Sequence, residues 1–315
     1  MTNPRFSVII PVHNKARHVA ESVASALAQT LSPHEVILID DASTDGSTEI
    51  IAAIKDPRIR LLFRDTPGPG GYAARNLGID KADGDWIAFL DADDMWAPTH
   101  LADIAAAIAR TPEVGCVSTR YEHVFEDCRH NSNMPATLAA TEGLSVSLAG
   151  FLQLWLETRD CPIWTGAAAF RRDVLVRAGL FPAGKGVRGG DKDLWLRAVR
   201  AAPFTYVTRP SAEFHRDSDN KVSKKTNPDT LPLIVETARA MMRGANAAER
   251  ALLRRLINQQ IGLYARFSFK GERIPPSFAR NLYLPEGVGL YLLIEGLRLM
   301  PAKLRQGIYR SVKRV

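Results

Sequence analysis

Short apolar runs and amphipathic stretches alternate over the first 120 residues. Residues 6–12 form a nearly continuous apolar run, the signature of a strand buried on both faces. Over residues 16–29, Val19, Val23, Ala26 and Leu27 recur at helical spacing, which predicts a helix with one apolar side. Residues 36–39, 59–63, 86–90 and 114–118 give four further strands. Between them, Ser47 or Thr48 is placed to cap a helix ending near 54, and helices are predicted over 72–81 and 98–109. Strands separated by helices imply crossover connections, so the pattern predicts an α/β fold with a Rossmann-like, mainly parallel sheet flanked by helices.

Beyond Arg120 the pattern loosens. Residues 123–143 read as a polar loop, 148–157 as a short helix, 163–170 as a strand, and 172–178 and 192–200 as helices. Residues 215–229 form a second polar loop, and 231–263 a long helical stretch with a break near Gly244. This divides the chain into two halves of one domain, 1–120 and 121–225, and a helical, basic C-terminal extension over 226–315.

Composition narrows the class. The 315 residues are 46% hydrophobic and 24% charged, enough for a core that needs neither disulfides nor a structural metal. None of the three cysteines, Cys116, Cys128 and Cys161, stands in a CxxC pair. The N-terminus enters the strand pattern directly, without a signal-peptide pattern, and the longest apolar stretch, 288–300, is broken by Glu295 and Arg298. The expected location is cytoplasmic. The net charge of +7 is uneven: residues 1–110 carry −5 and residues 270–315 carry +6. An acidic first third argues against a nucleic-acid partner and suits a site that holds a cation.

The ends of the strands carry the candidate chemistry. The turn after the first strand, Pro11-Val-His-Asn-Lys, lacks the GxGxxG of a dinucleotide site, and no GxxxxGK[ST] loop occurs. Instead, strand two ends in Asp40-Asp41 and strand four in Asp91-Ala-Asp93-Asp94. In an open parallel sheet these ends line the ligand crevice. Asp91 and Asp93 share one side if the chain stays extended, and hard carboxylate oxygens suit Mn²⁺ or Mg²⁺ chelated by a diphosphate. Arg75 is positioned to pair with Asp41, to reach a phosphate or base, or simply to lie on the surface. Asp45 and Asp94 read equally well as loop or N-cap residues, and Trp164 as an acceptor platform or as packing.

These motifs resemble a known family. Ser7-Val-Ile-Ile-Pro-Val-His-Asn14, Leu38-Ile-Asp-Asp-Ala-Ser-Thr-Asp-Gly-Ser47, Ala73-Ala-Arg-Asn-Leu-Gly-Ile79, Phe89-Leu-Asp-Ala-Asp-Asp94, and the block from Thr165 through Gly190-Asp-Lys-Asp-Leu-Trp-Leu-Arg197 are similar to the motif series of family 2 glycosyltransferases, which have the GT-A fold. The resemblance implies an inverting, Mn²⁺- or Mg²⁺-dependent transfer from a nucleoside diphosphate sugar, UDP favoured, to a glycan or lipid-linked glycan in bacterial surface polysaccharide synthesis. It makes 1–120 the nucleotide-sugar half and 121–225 the acceptor half. By likeness, Pro11, Val12, His13 and Asp41 hold the nucleobase with Arg75 nearby, Asp91 faces the ribose and sugar, and Asp93 ligates the metal. Asp191 matches the catalytic base, and His215 a histidine that reaches the diphosphate or metal after a loop closes. Gly190 stands where the family carries a glutamate. The alternatives are a nucleotidyltransferase and a non-catalytic polyanion- or glycan-binding module.

Residues 296–315 carry six basic residues (Arg298, Lys303, Arg305, Arg310, Lys313, Arg314) and no acidic one, beside apolar residues from Leu290 to Met300. This pairing suits peripheral contact with an anionic membrane through residues 288–315, at the cytoplasmic face of the inner membrane; the competing reading is a terminal helix packed on the core.

Overall fold

Successive side chains of a strand point to opposite faces, and that alternation sets the layers of this protein. The computed structural model describes residues 3–186, 188–217, 230–268 and 274–305. Strand β1 (Phe6–Val12) sends Val8, Ile10 and Val12 into one core and Ile9 into another; β2 (Glu35–Asp41) divides Val36 and Leu38 from Ile37 and Ile39 in the same way. β3 (Ile59–Arg64) pairs parallel with β2, while β4 (Trp86–Phe89) pairs parallel with β1. Strands apolar on both faces need cover on both. Helices α1 (Val19–Leu27) and α2 (Ser47–Ala53) pack on the Val8 face, and α3 (Tyr72–Lys81) packs on the Ile9 face.

The rest of the sheet is mixed. In chain order the remaining strands are β5 (Met95–Trp96), β6 (Cys116–Val124), β7 (Arg129–Asn131), β8 (Ala168–Arg171) and β9 (Phe204–His215). The order across the sheet is β3-β2-β1-β4-β8-β6-β9-β5, with β7 paired to β6. The expected fifth strand thus lengthens into β6, and β8 lies antiparallel between it and β4. Of the expected strand over 163–170, only Ala168 to Phe170 is strand, in β8; Thr165–Ala167 before it form a single 3₁₀ turn. Residues 123–143 are more than a loop, because they include the β6–β7 hairpin and a short helix α5 (Ala136–Ala139) following helix α4 (His100–Arg110). The pattern gave no sign of β9. Its Thr208-Arg-Pro210 segment interrupts the apolar run, and register shifts around Arg120 break the alternation.

Helices α6 (Leu148–Thr158), α7 (Arg172–Arg177), α8 (Gly190–Ala201), α9 (Leu233–Met242) and α10 (Ala247–Ser268) follow, then α11 (Pro276–Arg280) and α12 (Val288–Leu299). The expected break near Gly244 separates α9 from α10. Leu253, Leu256, Ile257 and Ile261 of α10 are fully buried in the core that also holds Phe151 and Trp155 of α6. Asp193 fastens α8, accepting from Arg197 at 2.7 Å and from the Thr237 hydroxyl of α9. A ring cluster ties the end of β4 to α8: Trp195 stacks on Phe170 at 4.2 Å, and Phe89 meets Phe181 edge-on at 5.5 Å. Most of the second polar loop (218–229) and the basic positions Arg310, Lys313 and Arg314 lie outside the described residues.

Candidate active site

Parallel strands present their carboxyl ends along one edge of the sheet, and a cleft of about 580 Å³ opens there. Pro11, Val12, His13, Asp41, Arg75, Asp91, Asp93 and Asp191 all line it; His215 does not, although its neighbour Phe214 does.

One wall of the cleft begins at β1 and β2. His13 Nδ1 lies 2.8 Å from the Asp41 carbonyl oxygen. Asp41 is buried and is paired not with Arg75, as one sequence reading allowed, but with Arg64, and it also accepts the Gly68 N–H at 3.0 Å. The reason is register. Arg64 ends β3 as the direct partner of Asp41 at the end of β2. Gly70 and Gly71 then turn through φ of 71° and 65°, the left-handed region that favours glycine, and deliver the chain into α3. From α3, Arg75 donates to Asp91 and to the Gly70 carbonyl at 2.9 Å. Its Nε is buried without a partner among the described residues.

The acidic strand end departs from an extended chain. The Asp94 N–H closes a turn on the Asp91 carbonyl at 3.0 Å, so Asp91 and Asp93 turn to different partners. Asp91 meets Arg75, and Asp93 meets the Lys15 ammonium at 2.8 Å. Lys15 was not anticipated. Its loop is stapled to the next one by the Lys15 N–H on Ser47 Oγ and the Thr44 N–H on Asn14 Oδ1. Asp94 is buried and accepts the His215 N–H at 2.9 Å, and Asp45 accepts the Ser47 N–H at 3.0 Å just before α2, so both have structural jobs. Neither Ser47 nor Thr48 is the cap; the helix starts at Ser47 after Gly46. His215 Nε2 lies 3.1 Å from Glu213, and this contact, with Arg129, holds the Glu213 carboxyl below its usual range.

Asp191 enters the cleft from the first turn of α8. Burial and then the Asp191 charge push the Tyr72 phenol above its ordinary value. The α10 helix also reaches the cleft with Gln260, Leu263 and Tyr264, so the C-terminal extension contributes a wall. Trp164 lines the cleft while packing at 4.5 Å on Tyr121 and 4.9 Å on Phe214. Asp193 is committed to Arg197 and Thr237. Sequence reasoning also missed Lys192, which pairs with Asp160 at the rim.

The model of Glycosyl transferase family 2 matches residues 7–177, just over half of the chain. An uncharacterised glycosyltransferase of Nostoc sp. is 35% identical over 185 residues, 56% of this chain and 53% of that protein. The succinoglycan biosynthesis protein ExoO of Rhizobium meliloti is 40% identical over 122 residues, 36% of this chain and 34% of ExoO. The chain thus spans about half or less of these relatives' lengths. Among solved structures, S. aureus TarS 1–349 in complex with UDP-GlcNAc superposes with a TM-score of 0.68 at 17% identity, over 98% of this chain and 92% of that one. The mannosyltransferase PcManGT from Pyrobaculum calidifontis, in complex with GDP-Man and Mn²⁺, gives 0.57 at 19% identity, over 98% and 85%. The shared fold is GT-A, a curled mixed sheet flanked by helices. With its strand-end motifs inside the matched span and its sheet in the same arrangement, the chain belongs to glycosyl transferase family 2.

Proposed function

We propose that the protein transfers a sugar from a nucleoside diphosphate donor, a UDP-sugar by preference, to a hydroxyl of a glycan or lipid-linked glycan in bacterial surface polysaccharide synthesis, with inversion at the anomeric carbon. One observation carries this reading: carboxylates from the ends of β2 and β4 and a carboxylate from α8, far apart in sequence, line a single cleft. Pro11, Val12, His13 and Asp41 form the nucleobase wall, Asp91 the ribose and sugar side, and Arg75 a buried donor beside them. The orphaned Arg75 Nε would regain a partner from a ligand oxygen.

The donor set suits Mn²⁺ or Mg²⁺. Asp93 is a hard oxygen ligand in a part-buried place, and its charge is already met by an ammonium. No group of three His, Cys, Asp or Glu side chains able to hold an ion alone occurs among the described residues. Such ions are commonly held by one or two carboxylates together with substrate phosphates and water. Asp93 would hold it; when bound, the ion supplies Lewis-acid stabilisation of the departing diphosphate.

The chain's own residues do the rest. Asp191 accepts the proton of the acceptor hydroxyl as that oxygen attacks, a task that needs a carboxylate within about 3 Å. The strand-end carboxylates and Asp191 come from different elements around one cleft, which is compatible with in-line displacement and inversion. His215 would have to leave Glu213 to reach the diphosphate. The acceptor side lies along Trp164 and the second half of the domain.

The test is turnover of UDP-, GDP- and dTDP-sugars with Mn²⁺ and with EDTA, by the wild type and by Asp191→Asn. The expected result is Mn²⁺-dependent turnover in the wild type and a loss of at least about 1,000-fold in Asp191→Asn, with donor binding kept. Wild-type rates in the variant would remove Asp191 as base. A nucleotidyltransferase would instead release pyrophosphate from a nucleoside triphosphate, and a binding module would turn over nothing.

The reading extends to the membrane. On α12, Val288, Leu292 and Leu299 share one exposed stripe, with Leu299 83% exposed. We propose that this stripe, with Lys303, Arg310, Lys313 and Arg314, rests on an anionic bilayer at the cytoplasmic face of the inner membrane. Arg305 is not part of that surface, because it is buried and donates to the Leu297 carbonyl at 3.3 Å. Arg298 is neutralised by Glu295 at 2.7 Å.

A further inference from the structure

Gly190, immediately before Asp191, stands where the structure leaves no room for a side chain. A Cβ built at residue 190 would lie 2.7 Å from Cζ and 2.8 Å from Cε2 of the Tyr72 ring, and 2.9 Å from Cγ of Pro182. Such distances are essentially never met by real Cβ atoms, and none of the three neighbours is the free end of a flexible chain. The Gly190 N–H meanwhile donates to Tyr72 Oη at 2.8 Å in a buried setting. Tyr72 therefore fills the volume a side chain at 190 would occupy and satisfies the backbone there. The preceding residue is held from the other side. Gly189 has φ of +78°, and a Cβ on it would come within 2.7 Å of Tyr264 Oη. The two glycines thread between two tyrosines immediately before Asp191.

Tyr72 is itself firmly held. Its ring is buried and stacks on Phe181 at 5.7 Å with an interplanar angle of 10°, and Phe181 packs edge-on against Trp195 of α8 at 5.5 Å. Tyr72 also opens the helix whose next turn carries Arg75, the partner of Asp91. One residue thus touches both the donor-side helix and the turn that presents Asp191.

We propose that Tyr72 is the positioning residue for the catalytic base, fixing by shape and by one hydrogen bond the backbone immediately before it. The inference rests on the reading of Asp191 as base. Glycine at 190 and tyrosine at 72 then form an obligate pair, because either alone leaves a clash or a void next to the base. A backbone N–H fixed at the start of α8 orients the following carboxylate without consuming its lone pairs, which leaves Asp191 able to accept a proton.

Two variants and their combination test this. Tyr72→Phe keeps the ring and deletes the hydroxyl. The expected result is a five- to twenty-fold fall in kcat for sugar-nucleotide turnover with Mn²⁺, donor KM unchanged within about two-fold, and a modestly lower melting temperature, because the buried Gly190 N–H loses its acceptor. Gly190→Glu should lose at least 100-fold, and Tyr72→Ala combined with Gly190→Glu should recover at least ten-fold over Gly190→Glu alone. Circular dichroism of each variant separates misfolding from misplacement of the base. Wild-type kcat in Tyr72→Phe, or a folded double variant no faster than folded Gly190→Glu, would overturn the proposal. A wild-type protein that turns over no sugar nucleotide would instead defeat the transferase reading itself.

Discussion

The Lys15 ammonium sits 2.8 Å from Asp93 Oδ2, and the two side chains keep only 13% and 11% of their surface exposed. At such burial, removing one partner leaves a poorly solvated charge behind, which costs more than losing a surface ion pair. A divalent ion arriving at Asp93 must compete with that ammonium. Lys15→Ala should therefore lower the melting temperature in EDTA and raise the stabilisation gained from added Mn²⁺ above the wild-type gain, both readable by thermal shift. Equal gains in the two proteins would mean that Mn²⁺ does not bind at Asp93. At this scale the acidic motifs were legible from the sequence because carboxylates directly after apolar runs are conspicuous. Their counter-charges were not. Arg64 meets Asp41 only through the β2–β3 register, and Lys15 meets Asp93 across 78 residues, a separation that no local pattern encodes.

The elements were legible where burial alone dictates them. β1, β2 and β4 are covered on both faces and so read as apolar runs, and α1 and α4 carry clear apolar stripes. β9 was invisible because Arg209 and Pro210 interrupt it and its pairing with β6 slips around Arg120. The α4 helix also holds a buried titratable group. His100 is fully buried, stacks on Trp96 at 4.4 Å and contacts Ser211 Oγ through Nδ1 at 2.9 Å; burial pushes its pKa down to about 3. The unfolded chain would take up a proton near pH 6.5 while the folded one does not, so the unfolded state binds more protons between those values. This contribution is complete above about pH 6.5 and is lost as the pH falls, by about 1.4 kcal/mol per unit. His100→Phe, which cannot ionise, should show a shallower loss of melting temperature than the wild type between pH 7 and pH 5. Parallel curves would show that His100 does not titrate in this way.

At the scale of the whole molecule, charge and apolar surface are segregated. The carboxylate-lined cleft lies at the carboxyl edge of the sheet, while α12 carries its exposed stripe in the basic C-terminal region. No helix among the described residues is long and apolar enough to cross a membrane. A peripheral contact of the kind proposed should appear as cosedimentation with vesicles containing phosphatidylglycerol and weaken with added salt and in Leu292→Ser/Leu299→Ser. Binding indifferent to both changes would contradict it. The overall architecture was legible because four crossover repeats agree, whereas the wall supplied by Tyr264 from α10 was not, since long-range packing carried it there. The proposed donor site depends on Asp93 and a divalent cation together retaining a nucleoside diphosphate. Isothermal titration calorimetry of UDP, GDP and dTDP into the wild type and Asp93→Asn, each with and without Mn²⁺, measures this directly. The account predicts uptake of at least one of them by the wild type only when Mn²⁺ is present, weakened at least ten-fold in Asp93→Asn. Uptake equal in both proteins and indifferent to the metal, or none at all, would contradict it.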